Sequence, residues 1–132
     1  MTTRATGTFD VKLTPLASDE STGGTSLGRM SIDKQYHGDL AGAAKGEMLT
    51  GMTTVKNSAV YVAVERISGT LNGRSGGFLL HHRGIMTRGA QDLVIAVVPD
   101  SGSGELAGLE GRLEIAIDSG KHSYVFEYTL PE

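Results

Sequence analysis

The sequence predicts an all-β fold, a single eight-stranded antiparallel β-barrel that spans residues 1–132. Apolar and polar residues alternate with a period of two wherever a period is visible, as they do in half-buried strands. Turn signals separate the alternating segments, for example STGG at 21–24 and NG at 72–73. No segment carries the apolar stripe and the caps of a long helix. Closing the sheet hides strand edges, and eight strands leave room for a side-chain core or one small ligand.

Each strand is predicted from its own alternation. In the first, Phe9, Val11 and Leu13 share one face and polar residues share the other. The tract 103–111 is expected to hold at most one short helical turn, because its glycines disfavour helix. The expected strands lie at about 6–13, 25–36, 39–50, 58–71, 77–87, 92–99, 112–118 and 123–130.

Composition narrows the function classes. The net charge is −3 with only 12 Lys and Arg, which argues against nucleic-acid binding because phosphate neutralisation needs a basic excess. The chain has no cysteine, so disulfides, zinc–thiolate sites and cysteine nucleophiles are excluded. No apolar run approaches the roughly 20 residues of a membrane span, and the first residues do not resemble a signal peptide. We therefore expect a cytoplasmic protein that binds neither membrane nor nucleic acid.

Glycine is unusually frequent, with 19 glycines against 3 prolines. Several recur at a spacing of four, as in Gly38, Gly42 and Gly46. On a strand this spacing stays on one face, where glycine allows the sharp bending that a small barrel requires.

One strand is apolar on both faces, the segment Leu93–Val98. The outside of a barrel in water is expected to be polar, so an apolar outer face indicates that something covers it. The simplest cover is a second copy of the chain in a homo-oligomer, and a long loop folded over the strand is the alternative.

Three segments carry a family resemblance: Tyr61–Phe78, Pro99–Leu109 and Gly120–Tyr124. They resemble an uncharacterised bacterial family, a domain of unknown function described as an allene-oxide-cyclase-like β-barrel. The resemblance covers nearly the whole chain. It implies an eight-stranded barrel and oligomerisation, and it implies no activity, since sharing a barrel with cyclases is an analogy of fold alone.

Two motifs that suggest catalysis or metal binding have simpler explanations. The run GRSGG at 73–77 matches the G-x-S-x-G nucleophile motif, but a helix must follow that motif and a strand is expected here, so Ser75 is assigned to a hairpin turn. His81 and His82 are adjacent and point to opposite faces of a strand, so they cannot chelate one metal together. No ligand spacing typical of zinc is present, and no metal or other cofactor is expected.

One hairpin brings an acid and an imidazole together. Asn-Gly is the strongest two-residue turn signal, so Asn72-Gly73 is expected to join the strands on either side of it. A turn centred on this pair places Glu65 and His82 diagonally across the two strands, and a turn centred one residue later places them directly opposite. In both registers the two side chains share a face, roughly 5–8 Å apart at Cβ. Only an odd loop or a bulge would separate them.

The face that carries Glu65 and His82 has more aromatic residues and glycines than the opposite face, so we assign it to the interior. Two interpretations of an interior pair remain open. The first is a buried, hydrogen-bonded pair that fixes the register and needs no function. The second is a proton-transfer pair beside an apolar cavity, with a carboxyl pKa tuned towards neutrality and Tyr61 donating to a developing oxyanion.

The sequence therefore predicts a barrel that binds an apolar or amphipathic small molecule. One alternative is a cofactor-independent isomerase, cyclase or lyase with Glu65 and His82 as acid and base and Tyr61 as donor. Another is a structural or interaction protein with a filled barrel. Ligand identity and the presence of any catalysed reaction stay open. The expected ligand-binding residues are Phe78, Leu80, Met86 and Tyr124.

Overall fold

The computed structural model describes residues 2–16 and 23–131, so the first half of the predicted turn at 21–24 lies outside the described residues. Eight antiparallel strands close into one barrel in sequence order, with β1 hydrogen-bonded to both β2 and β8. This confirms the predicted fold. The strands are β1 (Thr3–Pro15), β2 (Ser26–Gly38), β3 (Leu40–Met52), β4 (Ala59–Leu71), β5 (Arg74–Thr87), β6 (Ala90–Val97), β7 (Glu110–Asp118) and β8 (Lys121–Thr129).

Helical structure in the described residues is confined to one 3₁₀ turn, Gly104–Leu106, which lies in the tract where a short turn was expected. No helix in the described part of the chain is long and apolar enough to cross a membrane.

The β4–β5 hairpin adopts the first of the two predicted registers. Asn72 and Gly73 both have positive φ, 47° and 84°, as a type I′ turn requires. Ala63 consequently pairs with His82, and Glu65 is displaced by one pair along the same face. Glu65 and His82 are both buried, so the interior assignment of this face is confirmed.

One end of the barrel is closed by a packed core. The ring of Phe126 stacks between Phe78 and Tyr128, with centroid separations of 5.8 and 5.3 Å. The loop between β6 and β7 hydrogen-bonds to β5 and buries Leu106 and Leu109 against these rings. Aromatic contact and apolar burial therefore fix this end, where the β4–β5 turn also lies.

Glycines lie where the inner walls of neighbouring strands approach most closely. Gly42 pairs with Gly69, and a Cβ on Gly69 would lie 2.7 Å from the Gly42 Cα, nearer than real side chains come. The spacing of four therefore marks a close backbone contact inside the barrel, as expected of strongly bent strands.

Candidate functional site

A polar cluster lies inside the barrel, between the closed end and the open end. It is formed by Lys34 and Tyr36 from β2, Glu65 from β4 and His82 from β5. Glu65 has no exposed surface, and Lys34 and His82 are only 7% and 6% exposed. Each of these side chains points inward because it alternates with exposed neighbours along its strand.

Glu65 accepts three hydrogen bonds from this cluster. Its Oε2 accepts from Lys34 Nζ at 2.8 Å and from His82 Nε2 at 2.6 Å. Its Oε1 accepts from the Tyr36 hydroxyl. A buried carboxylate is tolerated only when it is paired and hydrogen-bonded, and here both oxygens are satisfied.

Lys34, the cation that pairs with Glu65, has further favourable contacts. Besides Glu65, Lys34 Nζ donates to the Tyr36 hydroxyl at 3.4 Å and lies 4.9 Å from the centre of the Phe9 ring. An ammonium group over an aromatic face gains a further favourable contact when it is removed from water. Across the described residues, every buried side-chain nitrogen and oxygen has a hydrogen-bond partner. The cluster is therefore a complete network, which makes it rigid.

The network determines the protonation of the carboxyl group. Burial alone would raise the pKa of Glu65, but the hydrogen bond from His82 and the charge of Lys34 outweigh burial and lower it from 4.5 to about 2. Burial, followed by the charge of Glu65, raises the pKa of Tyr36 above its ordinary value of 10. Glu65 is therefore ionised at neutral pH. Tyr36 stays protonated, and its hydroxyl donates a hydrogen bond to the carboxylate.

An ionised Glu65 also fixes the tautomer of His82. A carboxylate can only accept, so the His82 Nε2 that faces it must carry a proton. In the neutral imidazole this leaves a lone pair on Nδ1, which lies 3.5 Å from the hydroxyl of Tyr61. Burial, and then the charge of Glu65, raise the pKa of Tyr61, so this hydroxyl stays protonated. The arrangement is a base oriented by a carboxylate, with a phenol in front of it.

A cavity of about 550 Å³ opens at the end of the barrel opposite the packed core. Tyr61 lies in its wall and connects it to the polar cluster. Gly84 makes room for the phenol, since a Cβ there would lie 2.2 Å from Tyr61 Cε1. We call this space the mouth cavity. Its wall includes Met30, Met48, Thr50, Ala59 and Met86, with Met52 and Leu93 at the exposed rim.

The family of unknown function described as DUF3224 matches residues 5–128 of the chain. The chain belongs to the DUF3224 family. A crystal structure of a DUF3224 protein of unknown function from Shewanella oneidensis MR-1 is similar, with a TM-score of 0.95 and 49% sequence identity. The similarity covers 100% of this chain and 99% of that one. No curated protein matches the chain.

Membership of the DUF3224 family confirms the resemblance to an uncharacterised bacterial family that the sequence carried. The family description assigns no activity, so function has to be inferred from the polar cluster and the mouth cavity. Glu65, His82 and Tyr61, which sequence reasoning selected, come together as hydrogen-bonded neighbours.

The four residues expected to bind a ligand lie in different places. Met86 lines the mouth cavity. Phe78 and Leu80 are 2% and 0% exposed in the packed core, because they lie nearer the turn that the β6–β7 loop covers. Tyr124 is held by the β2–β3 connection, where its hydroxyl accepts from the Leu40 amide at 2.9 Å. These three residues stabilise the closed end and do not line the cavity.

Lys34 and Tyr36 were missed by sequence reasoning. The signal was present, since Met30, Ile32, Lys34 and Tyr36 share one face of a predicted strand, and a lysine among apolar residues needs a partner. Their partner lies two strands away, beyond β3. Only the registers of two successive strand pairs connect them.

Ser75 and His81, from the two motifs set aside earlier, lie outside the site, whereas His82 belongs to it. His81 is exposed on the outer face, and Ser75 is exposed at the start of β5, where its amide donates to Glu105. In the described part of the chain, no group of three or more His, Asp or Glu side chains is placed to hold a metal ion.

The lowered pKa of Glu65 predicts a specific loss of stability in acid. The ionised carboxylate contributes fully to the free energy of unfolding above about pH 4.5, and this contribution disappears as the pH falls towards 2. We compare the protein with the double variant Lys34→Met, Glu65→Gln, which removes both charges and keeps the volumes. Between pH 5 and pH 2 the unmodified protein should lose about 3 kcal/mol more unfolding free energy than the variant, measured by urea denaturation.

Glu47→Gln is the matched control, because Glu47 is exposed on β3 and pairs on the surface with Arg29. Its acid dependence should follow that of the unmodified protein. Parallel acid profiles for the double variant and the unmodified protein would show that Glu65 is not stabilised as an anion.

Proposed function

We propose that this DUF3224 protein binds a small, largely apolar molecule in the mouth cavity. The observation that carries the proposal is a cavity of about 550 Å³ that ends at a complete polar network. Ligand sites in proteins usually have volumes of about 300–1,000 Å³ and combine an apolar wall with a few fixed polar groups. This cavity has that combination, which favours ligand binding over a filled, purely structural barrel.

The polar network supplies a fixed point for the polar end of the ligand. Tyr61 lines the cavity, and its hydroxyl contacts His82 of the network directly behind it. Because Glu65 holds the imidazole and Lys34 in turn holds Glu65, orienting the imidazole costs little when a ligand binds. The rest of the wall is rich in methionine, whose flexible side chains adapt to an irregular ligand.

A second candidate function is proton-transfer catalysis without a cofactor, as in an isomerase, cyclase or lyase. The orientation of His82 favours it, since the Nδ1 lone pair is directed at a phenol in the cavity wall. In such a reaction Tyr61 would take a proton from the substrate while passing its own to His82 Nδ1. Glu65 does not reach the cavity, so its role would be to position and stabilise the imidazole. Turnover of the bound compound, lost in His82→Gln, would distinguish catalysis from binding alone.

The outer surface supports self-association. Apolar side chains on β3, β4 and β5 face solvent, and Val62 and Val64 are 44% and 50% exposed. This face adjoins β6, where the sequence predicted an interface. A two-fold axis along β4 would set the β3 flank of one copy against the β5 flank of another, with the valines of both copies at the centre. We propose a homodimer through this face. A cytoplasmic location and an allene-oxide-cyclase-like relationship stay predictions.

The binding proposal predicts that filling the mouth cavity abolishes binding. Ala59→Phe places a ring in the cavity wall, so it should weaken binding of the neutral fluorescent probe N-phenyl-1-naphthylamine by about tenfold or more. Fluorescence titration measures the change. Ala116→Phe is the control, since Ala116 is exposed on β7 outside the cavity wall and should bind the probe as the unmodified protein does. Equal binding by both variants would contradict the proposal.

The dimer proposal predicts that a charge in the centre of the valine face separates the copies. Val62→Asp should be monomeric, because the buried carboxylate would have no partner. Light scattering after size-exclusion chromatography reports the mass. Thr70→Asp, exposed on β4 near the closed end, should leave the dimer intact. An unmodified protein that is monomeric at high micromolar concentration would refute the interface.

A further inference from the structure

The hydrogen bonds of the polar cluster have a direction that reaches the cavity. Ionised Glu65 accepts, so His82 Nε2 donates to it, and in the neutral imidazole Nδ1 is an acceptor. Tyr61 is the group within reach of Nδ1, and its hydroxyl keeps its proton. When that proton is directed at Nδ1, the Tyr61 oxygen turns its lone pairs to the cavity. The resting site therefore offers an acceptor, and it complements a ligand that donates.

The cavity wall restricts the charge of the ligand. Two charged residues at the rim, Arg29 and Asp92, pair on the outer face with Glu47 and Arg83 at 3.3 and 3.9 Å. The inward-facing wall among the described residues consists of uncharged side chains. An ionic group on the ligand would lose its water and gain no counter-charge there, which disfavours carboxylates and ammonium groups.

The wall also favours an aromatic body. Four of the five methionines in the sequence, Met30, Met48, Met52 and Met86, lie around the mouth cavity. Met30 and Met48 are direct cross-strand partners, and Met52 and Met86 lie nearer the rim on either side of Ala59. Thioether sulfur makes favourable contacts with aromatic rings, and the long side chains can close on a flat molecule.

We infer that the ligand is a neutral aromatic alcohol, a phenol-like molecule whose O–H donates to the Tyr61 oxygen while its ring packs among the methionines. This inference rests on the proposed binding function and adds the chemical class of the ligand. In this inference Tyr61 determines which polar group of the ligand is preferred, and the methionines determine the preference for an aromatic ring.

Four related probes test the inference at pH 7 by calorimetric titration. The first, 2-naphthol, has the ring and the donor, and 2-methoxynaphthalene has the ring without the donor. The anion 2-naphthoate adds a charge, and decahydro-2-naphthol keeps the donor on a saturated body. We expect 2-naphthol to bind about fivefold to tenfold more tightly than 2-methoxynaphthalene, the value of one neutral hydrogen bond. Naphthoate and the saturated alcohol should bind more weakly than 2-naphthol.

The variant Tyr61→Phe tests whether the Tyr61 hydroxyl causes the preference for 2-naphthol over 2-methoxynaphthalene. This variant should bind 2-naphthol and 2-methoxynaphthalene equally, because the phenyl ring keeps the cavity wall and removes the acceptor. Tyr128→Phe is the control, since the Tyr128 hydroxyl accepts from Asn72 at the closed end and is remote from the cavity. It should keep the preference for 2-naphthol.

The outcomes separate this inference from the proposal beneath it. If none of the four probes binds the unmodified protein, the binding function itself is contradicted. If the probes bind but 2-naphthol has no advantage over 2-methoxynaphthalene, or Tyr61→Phe retains that advantage, the donor assignment is overturned and cavity binding stands. If naphthoate binds more tightly than 2-naphthol, the claim that the ligand is neutral is overturned. If the saturated alcohol binds as tightly as 2-naphthol, the claim that the ligand is aromatic is overturned.

Discussion

The buried carboxylate of Glu65 is the constraint on which the interior of this barrel depends. Its donors, on β2 and β5, come from opposite sides of β4, and β2 is separated from β4 by β3. On β3 the residue paired with Glu65 is Gly46, where a Cβ would lie 2.7 Å from the Glu65 Cα. The glycine lets β3 and β4 approach closely, and Lys34 reaches Glu65 over this part of β3. Charge pairing and backbone packing therefore support each other at one level of the fold.

This level divides the interior into two parts with different physical character. On one side, stacked rings and the β6–β7 loop close the barrel with a packed core. On the other side, flexible methionines surround an open cavity. A ligand would therefore meet an adaptable wall and a rigid floor, where the orientation of Tyr61 is set by His82 and ultimately by Glu65. Such a floor provides the preorganisation that selective binding and proton transfer both require.

Local patterns in the sequence were sufficient for the strands, the β4–β5 turn and the shared face of Glu65 and His82, because alternation and an Asn-Gly turn act within one hairpin. They were insufficient for Lys34, whose partner is fixed by two successive registers. They also misplaced Phe78 within the barrel, since alternation identifies an inward residue without showing which end is closed. That depends on where the β6–β7 loop packs, which is a tertiary property.

The central claim is that an ionised Glu65 fixes His82 as the Nε2-protonated tautomer with a lone pair facing Tyr61. Nitrogen-15 NMR of the imidazole at pH 8, above the ordinary histidine titration range, measures this directly. The account predicts a protonated Nε2 and an unprotonated Nδ1 for His82, and loss of this preference in the Lys34→Met, Glu65→Gln variant. A His82 ring protonated on Nδ1 in the unmodified protein would contradict it.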